Sequence, residues 1–278
     1  MPLACRHSPS ASRAAPLGEM RNFAHTMPQP LLEIRDLRTG YRRGRRRVAV
    51  GENLRATLPA GTLTALLGAN GCGKSTLLRT LAGFLPPLGG EVVWRGRPIG
   101  AYGTEGLARL VGVVLTCRPQ AEALTAGDVV AMGRIPYARF LRPEPPEGRA
   151  AVEKAMELTG TARFARRPID TLSDGERQRV FIAKALAQQT PAILLDEPTA
   201  FLDYPSKRGV FALLRSLARE AGKGVLVSTH DVDTALRYAD TVWLLGRGGL
   251  EAMTAAEAAR RGAEGLFPAP DGRGGLPV

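Results

Sequence analysis

The nine residues GANGCGKST, Gly68 to Thr76, combine three glycines, a lysine and two hydroxyls in the spacing Gly-x4-Gly-Lys-Ser. That composition does chemistry on phosphate. Gly68, Ala69, Asn70, Gly71, Cys72 and Gly73 form a stretch in which glycine lets successive backbone N–H groups curl around an anion, and the positive start of a following helix adds to the attraction. Lys74 is placed to reach the β and γ oxygens of a triphosphate and Ser75 to ligate Mg2+, with Thr76 beside them in the nucleotide-binding stretch. Two adjacent acids, Asp196 and Glu197, end the apolar run AILLD, where unpaired burial would be costly. Asp196 is expected to hold Mg2+ directly or through water, and Glu197 to polarise an attacking water as general base. His230 stands in STHD after the apolar run GVLVST, at a strand end on the side of the sheet where ligands bind, within reach of a γ-phosphate. A nucleoside triphosphate with Mg2+ is the expected ligand pair, and hydrolysis the expected reaction.

A fourth stretch, TLSDGERQRV (171–180), begins with capping residues and turns amphipathic. Ser173 is a good helix N-cap, and Asp174 and Glu176 suit the positive helix end. Gly175 does not fit that reading, because glycine in a first helical turn costs roughly 0.5–1 kcal/mol relative to alanine. Something must come close to the backbone there.

These residues need a scaffold, and the hydrophobic pattern describes one. Alternation in LLEIRDLR, VAVGENLRATL and EVVWRGRPI predicts antiparallel strands in the early half. Short apolar runs at 62–67, 110–115, 192–196, 224–229 and 241–245 predict buried strands of a mostly parallel sheet. Helical patterns fall at 75–83, 125–133, 150–159, 174–189, 206–221 and 231–239. Between the strands ending at 115 and starting at 192 the pattern is mainly helical and too long for one crossover, so a helical lobe is inserted in an α/β sheet.

The chain has 278 residues, 44% of them hydrophobic, enough for one substantial core or a core with a lobe. Its net charge of +12 concentrates in RRGRRR (42–47), with aromatics only 5% of the chain. Without aromatic interleaving, that run is read first as a solvated basic hairpin, then as a contact for anionic lipid, and no specific nucleic-acid binding is expected. Cys5, Cys72 and Cys117 show no paired spacing, which argues for a reducing compartment and against a disulfide framework or zinc site. No run reaches the roughly 18 apolar residues of a membrane span. Residues 1–30 lack the apolar core of a secretory signal and are read as a disordered extension, or as lying ahead of a true start at Met20 or Met27. The tail after 262 reads as disordered.

Taken in order, Tyr41, GANGCGKST, LSDGE (172–176), AILLDEP, the AFLD turn ending at Asp203, and His230 resemble the ATP-binding subunit of ABC transporters. The resemblance covers about residues 31–248. It implies a P-loop NTPase core with a mostly parallel sheet, an antiparallel β subdomain and a helical subdomain inserted at about 117–180, followed over 249–278 by a short helix and a disordered tail. It further implies that Tyr41 stacks on adenine and that Ser173, Gly175 and Glu176 meet the γ-phosphate of ATP held by a second copy, while Asp203 organises that partner's site. The expected assembly is a head-to-tail homodimer sandwiching two ATPs. It would sit on the cytoplasmic face of the membrane, attached to permease subunits that work with a substrate-binding protein.

Two departures stand out. Asp174 and Glu176 replace a glycine and a glutamine of the usual signature, and acids beside a triphosphate repel it unless they point elsewhere. Where the family ends a strand with a metal-sensing glutamine, this sequence has Thr116, with Gln120 as a displaced alternative. The segment GDVVAMGRIPYARF is similar to the Gly-Arg-x-Pro-Tyr stretch of importer ATPases for iron-siderophores, haem and cobalamin, and Arg118 to Arg142 is the expected permease contact. The alternatives are a soluble ABC ATPase acting on nucleic acid or an assembly, and the ATPase of an exporter.

Overall fold

A computed structural model describes residues 30–44, 46–115, 124–138, 145–246 and 249–266. Strands β1 (Leu32–Arg43) and β2 (Arg46–Leu58) form a hairpin, β3 (Leu63–Leu67) runs into α1 (Lys74–Leu81), and β4 (Gly89–Trp94), β5 (Arg97–Pro98), α2 (Thr104–Ala108) and β6 (Val111–Val114) follow. Next come helices α3 (Ala126–Ala131), α4 (Pro146–Leu158) and α5 (Asp174–Ala187), linked by 3₁₀ turns among the described residues. The chain then returns to the sheet with β7 (Ala192–Asp196), α6 (Tyr204–Glu220), β8 (Gly224–Ser228), α7 (Val232–Tyr238), β9 (Thr241–Gly246), β10 (Gly249–Thr254) and α8 (Ala255–Leu266).

Two sheets result. One has the order β2-β1-β4-β5 and is antiparallel; the other has the order β10-β9-β3-β8-β7-β6 and is parallel except at the β9–β10 edge. Alternation along the central strands assigns each residue to one of two cores. Leu63, Ala65, Leu67, Ile193, Leu195, Val225 and Val227 face the helices α3 to α8. Leu66, Leu194, Leu226, Trp243 and Leu245 face α1 and the antiparallel sheet, where Leu32, Leu37, Leu54 and Trp94 close the layer. Strands covered on both faces cannot alternate apolar with polar, which is why they read as short unbroken apolar runs. Each fully buried leucine contributes roughly 1.5–3 kcal/mol over exposure, so a one-residue slip of such a strand would be opposed on both faces.

The described residues of the basic run end β1 at Arg42 and Arg43 and begin β2 at Arg46 and Arg47. Arg42, Arg46 and Arg47 are exposed, and no ion pair joins them to another described residue. Tyr41 pairs with Val48 in this hairpin.

The C-terminal part departs from the sequence reading. Where a short helix and then disorder were expected, GLEAMT forms β10, paired antiparallel with β9 through Leu250↔Leu245 and Ala252↔Trp243. Only Met253 of that strand is buried, so an edge strand of this kind leaves little periodic signal. Helix α8 continues past 262 through a kink at Gly262 (φ 67°) and seats Leu266, 3% exposed, in the helical-side core. A glycine interrupting the helical pattern hides that continuation.

Candidate nucleotide-binding and catalytic site

Residues 68–73 link the end of β3 to the start of α1. Gly73 is the N-cap of α1 at φ 107°, a conformation that L side chains rarely adopt, and a Cβ there would lie 2.5 Å from Val50 Cγ1 of β2. No side chain caps α1 and its first turn has no acid, whereas Ser173 and Asp203 cap α5 and α6. The positive end of α1 is therefore left open to an anion. Lys74 is 6% exposed; its Nζ donates to Gly68 O at 2.8 Å and Ala69 O at 3.3 Å, and lies 3.8 Å from Glu197 Oε1.

Strand β7 brings Asp196 to the same place. It is 3% exposed, and its Oδ1 accepts from Ser75 Oγ at 3.0 Å and from Ser228 Oγ at 2.8 Å. At Glu197 the chain leaves the sheet with φ 47°, and its N–H donates to Ser228 Oγ at 2.9 Å. Glu197 Oε2 is 2.9 Å from His230 Nδ1, whose ring is half exposed beyond the end of β8. Lys74, Ser75, Asp196, Glu197 and His230, read separately from the sequence, thus form one connected cluster. Tyr41 is tied to it through a 2.9 Å hydrogen bond between its OH and Thr76 Oγ1, and remains partly exposed. Ser228 escaped the sequence reading because it was absorbed into an apolar run. A hydroxyl at the last position of a fully buried strand needs a partner, and that was the available signal.

A match to the family model described as ABC transporter spans residues 52–200, which contains the phosphate loop, α5 and the Asp196–Glu197 pair. The chain belongs to the ABC transporter family. The achromobactin transport ATP-binding protein of Dickeya dadantii is 43% identical over 189 residues, covering 68% of this chain and 70% of the relative. The ferric enterobactin transport ATP-binding protein of Escherichia coli is 40% identical over 206 residues, covering 74% and 76%. Among solved structures, a metal-chelate type ABC transporter in an inward-facing conformation superposes with TM-score 0.74 at 27% identity, covering 87% of this chain and 90% of that one. The chain is an ATP-binding, ATP-hydrolysing ABC subunit of the P-loop α/β class. Among the described residues no helix is long and apolar enough to cross a membrane.

In this ABC ATPase the two signature acids are both engaged by their own helix. The Glu176 carboxylate accepts from the Ser173 N–H and from Ser173 Oγ, each at 3.0 Å, while Ser173 Oγ accepts from the Glu176 N–H at 3.3 Å, a reciprocal capping box. The Ser173 backbone N–H holds the Glu176 carboxyl below its ordinary pKa. Asp174 lies 3.5 Å from Arg177. Gly175 does have a close neighbour, and within this chain it is α6: a Cβ at 175 would sit 3.2 Å from Ser206 Oγ. Asp203 accepts from the Ser206 N–H at 3.3 Å. No hydrogen bond or ion pair joins Ser173 or Glu176 to residues 68–76 among the described residues. The signature segment and the phosphate loop are therefore not joined to each other within the chain. Thr116 and Gln120 lie outside the described residues.

The Gly-Arg-x-Pro-Tyr segment closes the other end of α5. Arg134 is buried and donates to Ala187 O and to Gln189 Oε1, each at 2.9 Å; Tyr137 OH donates to Gln188 O at 2.9 Å; a Cβ on Gly133 would lie 2.2 Å from Lys184 O. A cation on the last carbonyls is favourable at a helix C-terminus. Ile135, between these anchors, is 66% exposed.

Proposed function

We propose that this chain hydrolyses ATP as one half of a head-to-tail homodimer that powers an importer for iron-siderophore, haem or cobalamin. The observation that carries the catalytic part is the connected cluster of Lys74, Ser75, Asp196, Glu197 and His230 beside the open end of α1. The donor set fits Mg2+: a hydroxyl and a carboxylate 3.0 Å apart are hard oxygen ligands, and a site completed by phosphate oxygens and water needs no further acid. Ser75 and Asp196 would hold the ion, which when bound screens the phosphate charge. The backbone N–H groups of residues 68–76 and the Lys74 ammonium hold the β and γ oxygens. Glu197 takes the proton from the attacking water, and His230 keeps the carboxylate oriented through Oε2. Tyr41, with part of its ring open, supports the adenine. Ser173 and Gly175 of the second copy complete the γ-phosphate cradle.

The importer class rests on the names of the relatives and on the Gly133–Tyr137 turn, whose fixed residues hold Ile135 outward. Beside that turn lies an apolar groove of about 520 Å3, which includes Phe84, Ile99, Leu107, Lys184 and Gln188. We assign this face to a cytoplasmic helix of the permease, which attaches the subunit to the inner side of the membrane. Of the expected contact from Arg118 to Arg142, residues 118–123 and 139–142 lie outside the described residues.

One experiment tests the core of the reading. Glu197→Gln keeps shape but cannot take the water's proton, so turnover should fall by roughly 10²–10⁴, and the uncut MgATP should hold two copies together on gel filtration with light scattering. Adding Ser173→Arg should abolish that dimer. A Glu197→Gln protein that stays monomeric at saturating MgATP, or a double variant that dimerises equally well, refutes the shared site.

A further inference from the structure

Strand β7 ends at Asp196, and the next residue, Glu197, turns out of the sheet in a left-handed conformation. Its N–H therefore has no neighbouring strand carbonyl to meet in the regular ladder. Ser228 meets it instead. The parallel register sets Ser228 opposite Asp196, and Ser228 is 0% exposed at the last position of β8. One oxygen then does two jobs: Ser228 Oγ accepts from the Glu197 N–H at 2.9 Å and donates its only hydrogen to Asp196 Oδ1 at 2.8 Å. The same Oδ1 accepts from Ser75 Oγ at 3.0 Å.

We infer that Ser228 is a positioning residue for hydrolysis, fixing the angle between the carboxylate that faces the metal and the carboxylate that faces the attacking water. Its hydroxyl is oriented by both partners, because its one hydrogen goes to Asp196 and one of its two lone pairs takes the Glu197 N–H. Asp196 is held toward Ser75, and the backbone of Glu197 is held so that its carboxylate meets His230. A loss at Ser228 releases both at once, so Ser228 acts through Asp196 and Glu197. The inference rests on the roles given above to Asp196 and Glu197.

The test compares Ser228→Ala, Ser228→Thr and Glu197→Gln in the full chain. Outer-shell partners of this kind are worth about 10–100-fold in activity or metal affinity, so Ser228→Ala should lower kcat by that factor while the ATP half-saturation moves less than about two-fold. The Mg2+ concentration that half-maximally tightens binding of a fluorescent ATP analogue should rise, a readout that needs no turnover. Ser228→Thr, which keeps the hydroxyl, should recover most of both. The inference is overturned if Ser228→Ala turns over at the wild-type rate, or if Ser228→Thr loses as much as Ser228→Ala while both melt and bind ATP normally. Should Ser228→Ala not fold, Ser228→Cys, with a similar reach and a weak donor, is judged by the same criteria. If Glu197→Gln itself turns over normally, the general-base reading falls and takes this inference with it. If Glu197→Gln is dead and Ser228→Ala is normal, only the inference about Ser228 falls.

Discussion

The turn Gly133–Tyr137 invites a paired perturbation, because adjacent residues in it should fail in opposite ways. Arg134→Ala removes an ionised donor from Ala187 O and Gln189 Oε1 and a guanidinium lying 4.1 Å from the Tyr137 ring centroid. Hydrogen bonds from a charged group are worth about 1.5–3 kcal/mol each, and the ring contact adds about 0.5–2 kcal/mol. Truncation returns roughly 1.5–2 kcal/mol of side-chain entropy. These ranges leave a net loss of about 1.5–6.5 kcal/mol; since single substitutions that cost more than about 4–5 kcal/mol are exceptional, we expect about 2–4 kcal/mol, which for a domain of this size lowers Tm by about 5–15 °C. Ile135→Ser changes a mainly exposed side chain and should move stability by no more than about 0.5 kcal/mol. Calorimetry of both variants, ATP turnover of the isolated subunit at about 25 °C, well below a typical melt, and uptake in a deletion strain separate the roles. Arg134→Ala should melt early yet turn over ATP; Ile135→Ser should melt and turn over normally yet lose uptake. An unchanged Tm in Arg134→Ala, or an equal fall in both variants, would refute the division into anchor and contact.

Three further outcomes follow from the site. Cys72 is partly exposed within the phosphate loop; maleimide labelling there should block nucleotide binding and be prevented by saturating MgATP, and indifference to MgATP would displace the loop from the nucleotide. The Glu176 carboxyl is held below its ordinary pKa by the Ser173 N–H, so its cap stabilises the fold above the unfolded carboxyl pKa of about 4.3 and is lost as pH falls through the lower folded value. Glu176→Gln should therefore show a smaller drop in Tm between neutral and strongly acidic pH than the wild type, and an equal drop would remove the capping box from the explanation. Gly175→Ala places a methyl 3.2 Å from Ser206 Oγ; if that contact is the reason for glycine, Ser206→Ala in the same chain should restore Tm, while any turnover deficit that persists belongs to the partner's phosphate.

How legible this protein was depended on what each residue answers to. The phosphate loop could be read because its function dictates backbone conformation: Gly73 stands at φ 107° against Val50, and few other sequences could occupy that path. The meeting of Asp196, Glu197 and His230 could be read because each follows a buried apolar run, and the ends of parallel strands lie along one edge of the sheet. The central strands were legible for a related reason, since burial on both faces leaves only apolar residues. Strand β10 was not legible, because an edge strand with one buried residue is defined by its partner β9 and not by its own pattern. Ser228 was missed because its meaning lies in a register match with Asp196, a contact between two strands that no local window contains.

Gly175 marks the boundary between these cases. The sequence argued that something must approach its backbone, and the fold supplies Ser206 from α6 at 3.2 Å from a would-be Cβ. A second approach, from the γ-phosphate of ATP in the partner subunit, belongs to the proposed dimer, and the two demands need not compete. Packing the start of α6 against Gly175 ties the signature helix to the helix capped by Asp203. That places the residue proposed to organise the partner's site and the residue proposed to touch its phosphate on adjoining helix ends. A glycine required by both contacts would link the position of the signature to the position of Asp203, so that one rigid corner of each subunit meets the nucleotide of the other.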